Sequence, residues 1–277
     1  MTDQIEGSLT GFSVGIPNWG QDPLEAQFVT SGNFVGFWPT DQCFLAGTPV
    51  TLANETKNTI ETILPEDIVL SYNALGTLVP ARVTRTFVND VAHVLDFHGT
   101  GVTPGHVFLC SAGRFHGRHV PLLDILRDDG AVVRQDGSLM RAATGCAVGS
   151  EADRLIEVVA ADGSTGRLRA GTRVAGETGE MTVSALIARA GGTICDGRVA
   201  LPGAPAPQPF AWAGSLPAPE DDVLRRSGLT LAEIYATDEW ETPPQIPAAL
   251  EFGSAPRRPT PRPRVHTFEV ERSRACL

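Results

Sequence analysis

A chain of 277 residues is long enough to bury a full core, and its length admits one large domain or two small ones. A formal net charge of −10 argues against non-specific binding to nucleic acid or to an anionic membrane, and no run of about 18 apolar residues is present to span one. With 29 glycines and 21 prolines but only 6% aromatic residues, the composition favours short strands and many turns over long helices.

Residues 1–42 scatter Phe12, Trp19, Phe28, Phe34, Phe37 and Trp38 among Gly, Asn and Pro without helical periodicity, and read as a leader of strand and loop. The N-terminus has no basic start followed by an apolar run, so no secretory signal is read and a cytoplasmic location is expected. From Cys43 to about Cys110 the text is β. Val50-Thr51-Leu52, Asp67 to Tyr72, Val79 to Val88 and Val91 to Phe97 are rich in β-branched residues. Asn89-Asp90 and Ala74-Leu75-Gly76 read as turns between them, and Ile60 to Ser71 reads as strand, tight turn, strand.

Residues 111–242 form an accessory region of mixed pattern. Val120 to Arg127 fits a short helix, and Thr182 to Ala190 has helical spacing and stops at Gly191-Gly192. Thr230-Leu231-Ala232-Glu233 is a capping-box pattern opening another helix, while Leu155 to Ala160 and Gly166 to Val174 are strand candidates. Pro202 to Pro219 reads as extended. Residues 243–264 are a linker rich in Pro and Arg, and 265–277 hold a late strand and a tail.

Five cysteines (43, 110, 146, 195 and 276) are odd in number and form no C-x-x-C pair, so neither a disulfide framework nor a zinc site is read. His116 and His119 lack a third ligand at a telling distance, and no metal or cofactor is expected.

The chemistry concentrates in two segments, Cys43-Phe44-Leu45-Ala46-Gly47-Thr48-Pro49-Val50 and Thr103-Pro104-Gly105-His106. A thiol can attack the carbonyl of the residue before it, turning the Gln42–Cys43 amide into a thioester. A free thiol, with a pKa of about 8.5, is only a few per cent thiolate at neutral pH, so it needs help from its surroundings. The departing nitrogen needs a proton, which a histidine near its unperturbed pKa of about 6.5 can supply. The oxyanion needs donors, for which a threonine hydroxyl and strand-end amides serve. The turn-forming Pro104-Gly105 lets Thr103 and His106 converge. Taken alone, Cys43 would read as a small buried hydrophobe and His106 as an ordinary histidine.

Together with Ile60 to Ser71, these segments resemble the opening motifs of the hedgehog/intein (Hint) autoprocessing family, Cys43 to Val50 its nucleophile block and Val102 to Leu109 its T-x-x-H block. Val265 to Glu271 is similar to the family's late strand. The resemblance implies an all-β, pseudo-two-fold horseshoe of short strands, with a few short helices in an inserted accessory region. It also implies an N-to-S acyl shift at Gln42–Cys43, with Cys43 as nucleophile and Thr103 and His106 assisting. The leader would be the substrate, and water or a small nucleophile the acceptor.

Two departures qualify this. The C-terminal Arg272 to Leu277 has no His-Asn pair, so hydrolysis or transfer of the leader is expected rather than splicing. Thr267 stands where many inteins carry an acidic or cysteine helper. The alternative is a catalytically inactive Hint-fold structural or interaction module. A cysteine hydrolase acting in trans through Cys43 and His106 ranks below both.

Overall fold

A computed structural model of the chain describes residues 43–72, 77–134, 136–176, 179–236 and 262–270. The leader with Gln42, the expected turn at 74–76, most of the 243–264 linker and the tail with Cys276 lie outside the described residues. The fold is all-β with a few short helices, as the composition led one to expect. Among the described residues no helix is long and apolar enough to cross a membrane.

In chain order the elements are β1 (Phe44–Leu45), β2 (Pro49–Thr51), β3 (Lys57–Thr59), β4 (Ile68–Tyr72), β5 (Leu78–Asp90), β6 (Leu95–Phe97), β7 (Thr100–Val102), β8 (Val107–Ala112) and β9 (His119–Pro121). Then come α1 (Leu122–Arg127), β10 (Ala131–Val133), β11 (Leu139–Arg141), β12 (Leu155–Ala160), β13 (Thr165–Arg169), β14 (Arg173–Gly176), β15 (Gly179–Thr182) and α2 (Val183–Arg189). The series closes with β16 (Thr193–Cys195), β17 (Arg198–Ala200), β18 (Phe210–Trp212), α3 (Asp221–Ser227), α4 (Leu231–Ala236) and β19 (Arg264–Val270).

The described residues divide into two compact units, one comprising those from 43 to 95, 99–105 and those from 229 onward, the other 96–98 and those from 106 to 228. In the first, strands run in the order β4-β5-β19-β1-β7. The late strand β19 lies between β5 and β1, antiparallel to both, with Phe44 opposite His266 and Thr267 opposite Phe87. A core of Ile63, Val69 and Val83 is joined by Val50, Leu52, Phe268 and Val270, so the first motif, the β4–β5 hairpin and the late strand share one apolar cluster.

Two local expectations need correction in this unit. Asn89-Asp90 is not a turn but the end of β5, paired with Val265 and Arg264. The local text ends in residues that favour turns, but the ladder is extended by a partner from the far end of the chain. Ile60–Thr62 is a 3₁₀ turn, not a strand. Ile60 and Ile63, spaced by three, eclipse on that turn and are both buried. Pro65 and Glu66 then make a tight turn that enters β4, with Glu66 at φ 80° and the Asp67 amide donating to the Leu64 carbonyl at 3.2 Å.

The second unit holds a four-stranded sheet, β11-β10-β8-β9, a three-stranded sheet, β13-β12-β18, and the hairpins β14–β15 and β16–β17. Ile156, Val158, Leu168, Ala170, Val183, Ile187, Val199 and Phe210 form one of its cores. The 182–190 helix is present as α2, capped by the Thr182 hydroxyl, which accepts from the Ala185 amide. The stretch read as one strand from Gly166 to Val174 is two, β13 and β14, broken at Ala170–Thr172. Arg169 crosses the interior here, its guanidinium 2.6 Å from both Asp129 and Asp153, while Arg141 holds Asp153 at 2.7 Å.

Candidate functional site

Cys43 sits immediately before β1, between the two strands that flank it. On one side, Phe44 pairs with Val102, and one residue back the Thr103 amide donates to the Cys43 carbonyl at 3.1 Å. On the other, the Phe44–His266 register extended by one residue puts Thr267 opposite Cys43. The side chain is 1% exposed and packs on Val91 and Val265, with Val94 alongside. Among the described residues Cys43, Cys110, Cys146 and Cys195 form no disulfide.

The turn after β1 is built by the motif itself. Gly47 takes φ 87°, a conformation that disfavours any side chain, and the Thr48 amide and hydroxyl both donate to the Leu45 carbonyl, at 3.2 and 2.7 Å. The Gly47 amide donates to Glu61 Oε2 at 2.7 Å, and that bond holds the Glu61 carboxyl below its ordinary range. The 3₁₀ turn thus supports the loop that launches the cysteine strand.

Thr103 is fully buried, and its hydroxyl meets Cys43 twice. Oγ1 accepts the Cys43 backbone N–H at 3.1 Å and donates to the Cys43 carbonyl at 3.3 Å. The nitrogen in question is that of the Gln42–Cys43 peptide bond. Two of the expected site residues, Cys43 and Thr103, are therefore brought into direct contact. The path of β7 permits this because Gly101 faces Leu45, where a Cβ would stand 2.6 Å from Leu45 Cβ.

His106 belongs to the second unit, entering it from the Pro104–Gly105 turn. Its carbonyl accepts the Leu122 N–H at 2.7 Å, and its ring lies 5.0 Å from that of Phe108. Gln42 lies outside the described residues. Asp96, weighed as an orienting group, is 3.8 Å from Arg226, and its amide donates to the Ser227 hydroxyl at 2.8 Å. Cys110 is a packed thiol pushed upward in pKa by burial, its Sγ donating to the Ala112 carbonyl at 3.0 Å.

One contact escaped sequence reasoning. The Asn89 side-chain amide donates to Cys43 Sγ at 3.5 Å. Nothing local in the text signals it, since Asn89 approaches the sulfur only because β19 pairs with both the end of β5 and β1.

No protein-family model and no curated protein matches the chain. Among solved structures it is similar to a bacterial intein-like domain from Clostridium thermocellum, at 21% identity over 35% of this chain and 70% of that one, with a TM-score of 0.30. It is also similar to the AceL NrdHF class 3 split intein in a splice-inactive variant, at 15% identity over 61% of this chain and 83% of that one, with a TM-score of 0.27. Likenesses this loose add nothing to the reading of the site, which comes from its own residues.

Proposed function

We propose that the chain is a Hint-like self-processing protein that severs its own Gln42–Cys43 bond once, without splicing. The observation that carries this is the Thr103 hydroxyl at 3.1 Å from the Cys43 backbone nitrogen, the atom that must leave. The Cys43 sulfur gives up its proton to solvent and attacks the Gln42 carbonyl carbon. The tetrahedral intermediate collapses as the carbon–nitrogen bond breaks, and the Cys43 nitrogen takes a proton to depart as an amine. The product is a thioester joining the Gln42 acyl group to Sγ.

Thr103 suits the proton step, because a hydroxyl that accepts from the amide in the resting state can turn and donate to the nitrogen as its lone pair develops. His106, three residues on, is assigned the general acid that replenishes this proton. Water then adds to the thioester, releasing residues 1–42 with a carboxylate and restoring the thiol; the overall process consumes one water. A small thiol or hydroxylamine in place of water captures the leader as its own acyl derivative.

Intact mass of freshly purified protein, followed over time with and without dithiothreitol or hydroxylamine, tests this. Two fragments, 1–42 and 43–277, are expected, with faster leader release when either nucleophile is present, and Cys43→Ala should stay whole. Equal cleavage in Cys43→Ala would overturn the proposal.

A second reading is favoured by Thr267, which the register puts opposite Cys43 and which carries no ionisable group to activate a thiol. On that reading the chain is an inactive Hint-fold module. Wild-type protein that keeps its full mass even with added thiol would establish it over the first.

A further inference from the structure

The described residues that pack on the Cys43 side chain are apolar. The thiol packs on Val91, Val94 and Val265. The ionisable residues adjoining it in the strands, His266 on β19 and the Asp90–Arg264 pair at 3.6 Å, alternate onto the opposite face of the sheet. Arg85 and Glu269 share its face further along β5 and β19 but lie 3.9 Å from one another. His93, in the segment covering the thiol, is engaged by Glu233. Burial among apolar side chains disfavours a thiolate, and a hydrogen-bond donor at the sulfur favours it.

We propose that Asn89 is that donor, a residue that holds the Cys43 sulfur and raises its thiolate fraction through the side-chain amide. The inference rests on the self-cleavage proposed above and adds to it the group that prepares the nucleophile. The geometry is specific. Nδ2 lies 3.5 Å from Sγ, and an amide nitrogen can only donate, so the sulfur is the acceptor and its own hydrogen is left to point elsewhere. Hydrogen bonding to the charged form of an acid favours that form, and an uncharged donor does so without a counter-charge to bury. Asn89 is fixed in turn by its backbone pairing with Val265, which is fully buried, and by the Val91 amide, which donates to the Pro263 carbonyl at 3.0 Å just beyond. The amide is therefore delivered by the late strand, which ties residue 89 to the sulfur's face of the sheet.

The test follows the thiol directly. Cysteine labelled with 13C at Cβ is introduced into the full chain, the Cys43 resonance is assigned by its absence in Cys43→Ala, and its shift is titrated with pH in the wild type, Asn89→Asp and Asn89→Leu. Leader release is timed over the same pH range. Asn89→Asp exchanges the donor for a negative acceptor of the same shape and should raise the Cys43 midpoint by at least about one unit, with release at neutral pH slowed about tenfold or more and recovered at higher pH. Asn89→Leu should shift the midpoint the same way by a smaller amount, and it serves as the second probe if the aspartate variant fails to fold. Unchanged midpoints in the folded variants overturn the inference, even where the wild type cleaves itself. Shifted midpoints in a chain that never cleaves sustain it and defeat the self-cleavage reading alone.

Discussion

Gly101→Ala is the sharpest test of how the fold places the site, because the added atom meets something that cannot move aside. Its Cβ would lie 2.6 Å from Leu45 Cβ, an atom fixed to the backbone of β1, and 3.0 Å from Leu45 Cδ2. Gly101 does not adopt a positive φ, so the cost is steric rather than conformational. Ordinary carbon–carbon contact requires the strands to part by about 1 Å. Thr103 follows two residues on, just past the end of β7, and its two 3.1 Å bonds to the Cys43 amide and carbonyl would stretch past hydrogen-bonding distance. Overpacking of this kind costs about 1–3 kcal/mol in stability, and a displacement of about 1 Å at a reacting centre costs about 100-fold in rate. Thermal unfolding reads the first effect and intact mass against time reads the second. Leu45→Gly removes the obstructing carbon, so the Leu45→Gly/Gly101→Ala double variant should process its leader as Leu45→Gly alone does. The reasoning is refuted by a Gly101→Ala protein with wild-type melting and wild-type release, or by a double variant that releases its leader no faster than Gly101→Ala alone.

Other perturbations probe the frame around the site. Burial pushes the Asp124 carboxyl from 3.8 up to about 6, so the folded state holds its proton more tightly than the unfolded chain; the associated stability is full below 3.8 and is lost as pH rises through 6. Asp124→Asn should therefore stabilise the protein by about 1–3 kcal/mol at pH 7–8 and leave it unchanged near pH 3, read by denaturant melts at both pH values. Arg169→Met leaves Asp129 and Asp153 without the guanidinium that bridges them at 2.6 Å each, and should cost about 3–5 kcal/mol in the same assay; replacing the arginine and both aspartates by apolar residues together should cost less. Thr230→Ala removes one arm of a reciprocal cap, in which Thr230 Oγ1 accepts the Glu233 amide at 3.2 Å and Glu233 accepts the Thr230 amide at 2.8 Å. A loss of about 1 kcal/mol is expected, with Thr230→Ser retaining most of the stability.

What the sequence made legible were features whose cause is local. The Thr230 cap, the 182–190 helix and the β12 strand are each written in a few adjacent residues and are found where the text puts them. The all-β class followed from composition for the same reason, since turn residues every few positions leave no room for long helices. What stayed hidden depends on partners distant in the chain. Asn89 reads as a turn residue until β19 arrives to extend its strand. Ile60 to Ile63 looks like an alternating strand, although a spacing of three suits a 3₁₀ turn equally well and only burial of both isoleucines decides it. Of the site, the two motifs brought forward Cys43, Thr103 and His106, of which Cys43 and Thr103 are in direct contact, whereas no spacing could reveal that an amide from β5 reaches the sulfur.

The Cys43–Thr103 pairing also explains why a threonine is chemically apt where the sheet alone would be satisfied by any residue. In a regular antiparallel pair, two facing residues exchange both backbone hydrogen bonds, and each N–H ends on a carbonyl. Here one of the two is kept, from the Thr103 amide to the Cys43 carbonyl, while the Cys43 N–H is taken by a side-chain hydroxyl. A carbonyl can only accept, so it would hold that nitrogen as an amide and offer nothing as the bond breaks. A hydroxyl accepts and donates with the same atom, and it already donates to the Cys43 carbonyl at 3.3 Å. The ladder thus gives up its ordinary partner at the one nitrogen that self-cleavage would have to protonate. The bond it keeps would hold the strand in place as that nitrogen departed.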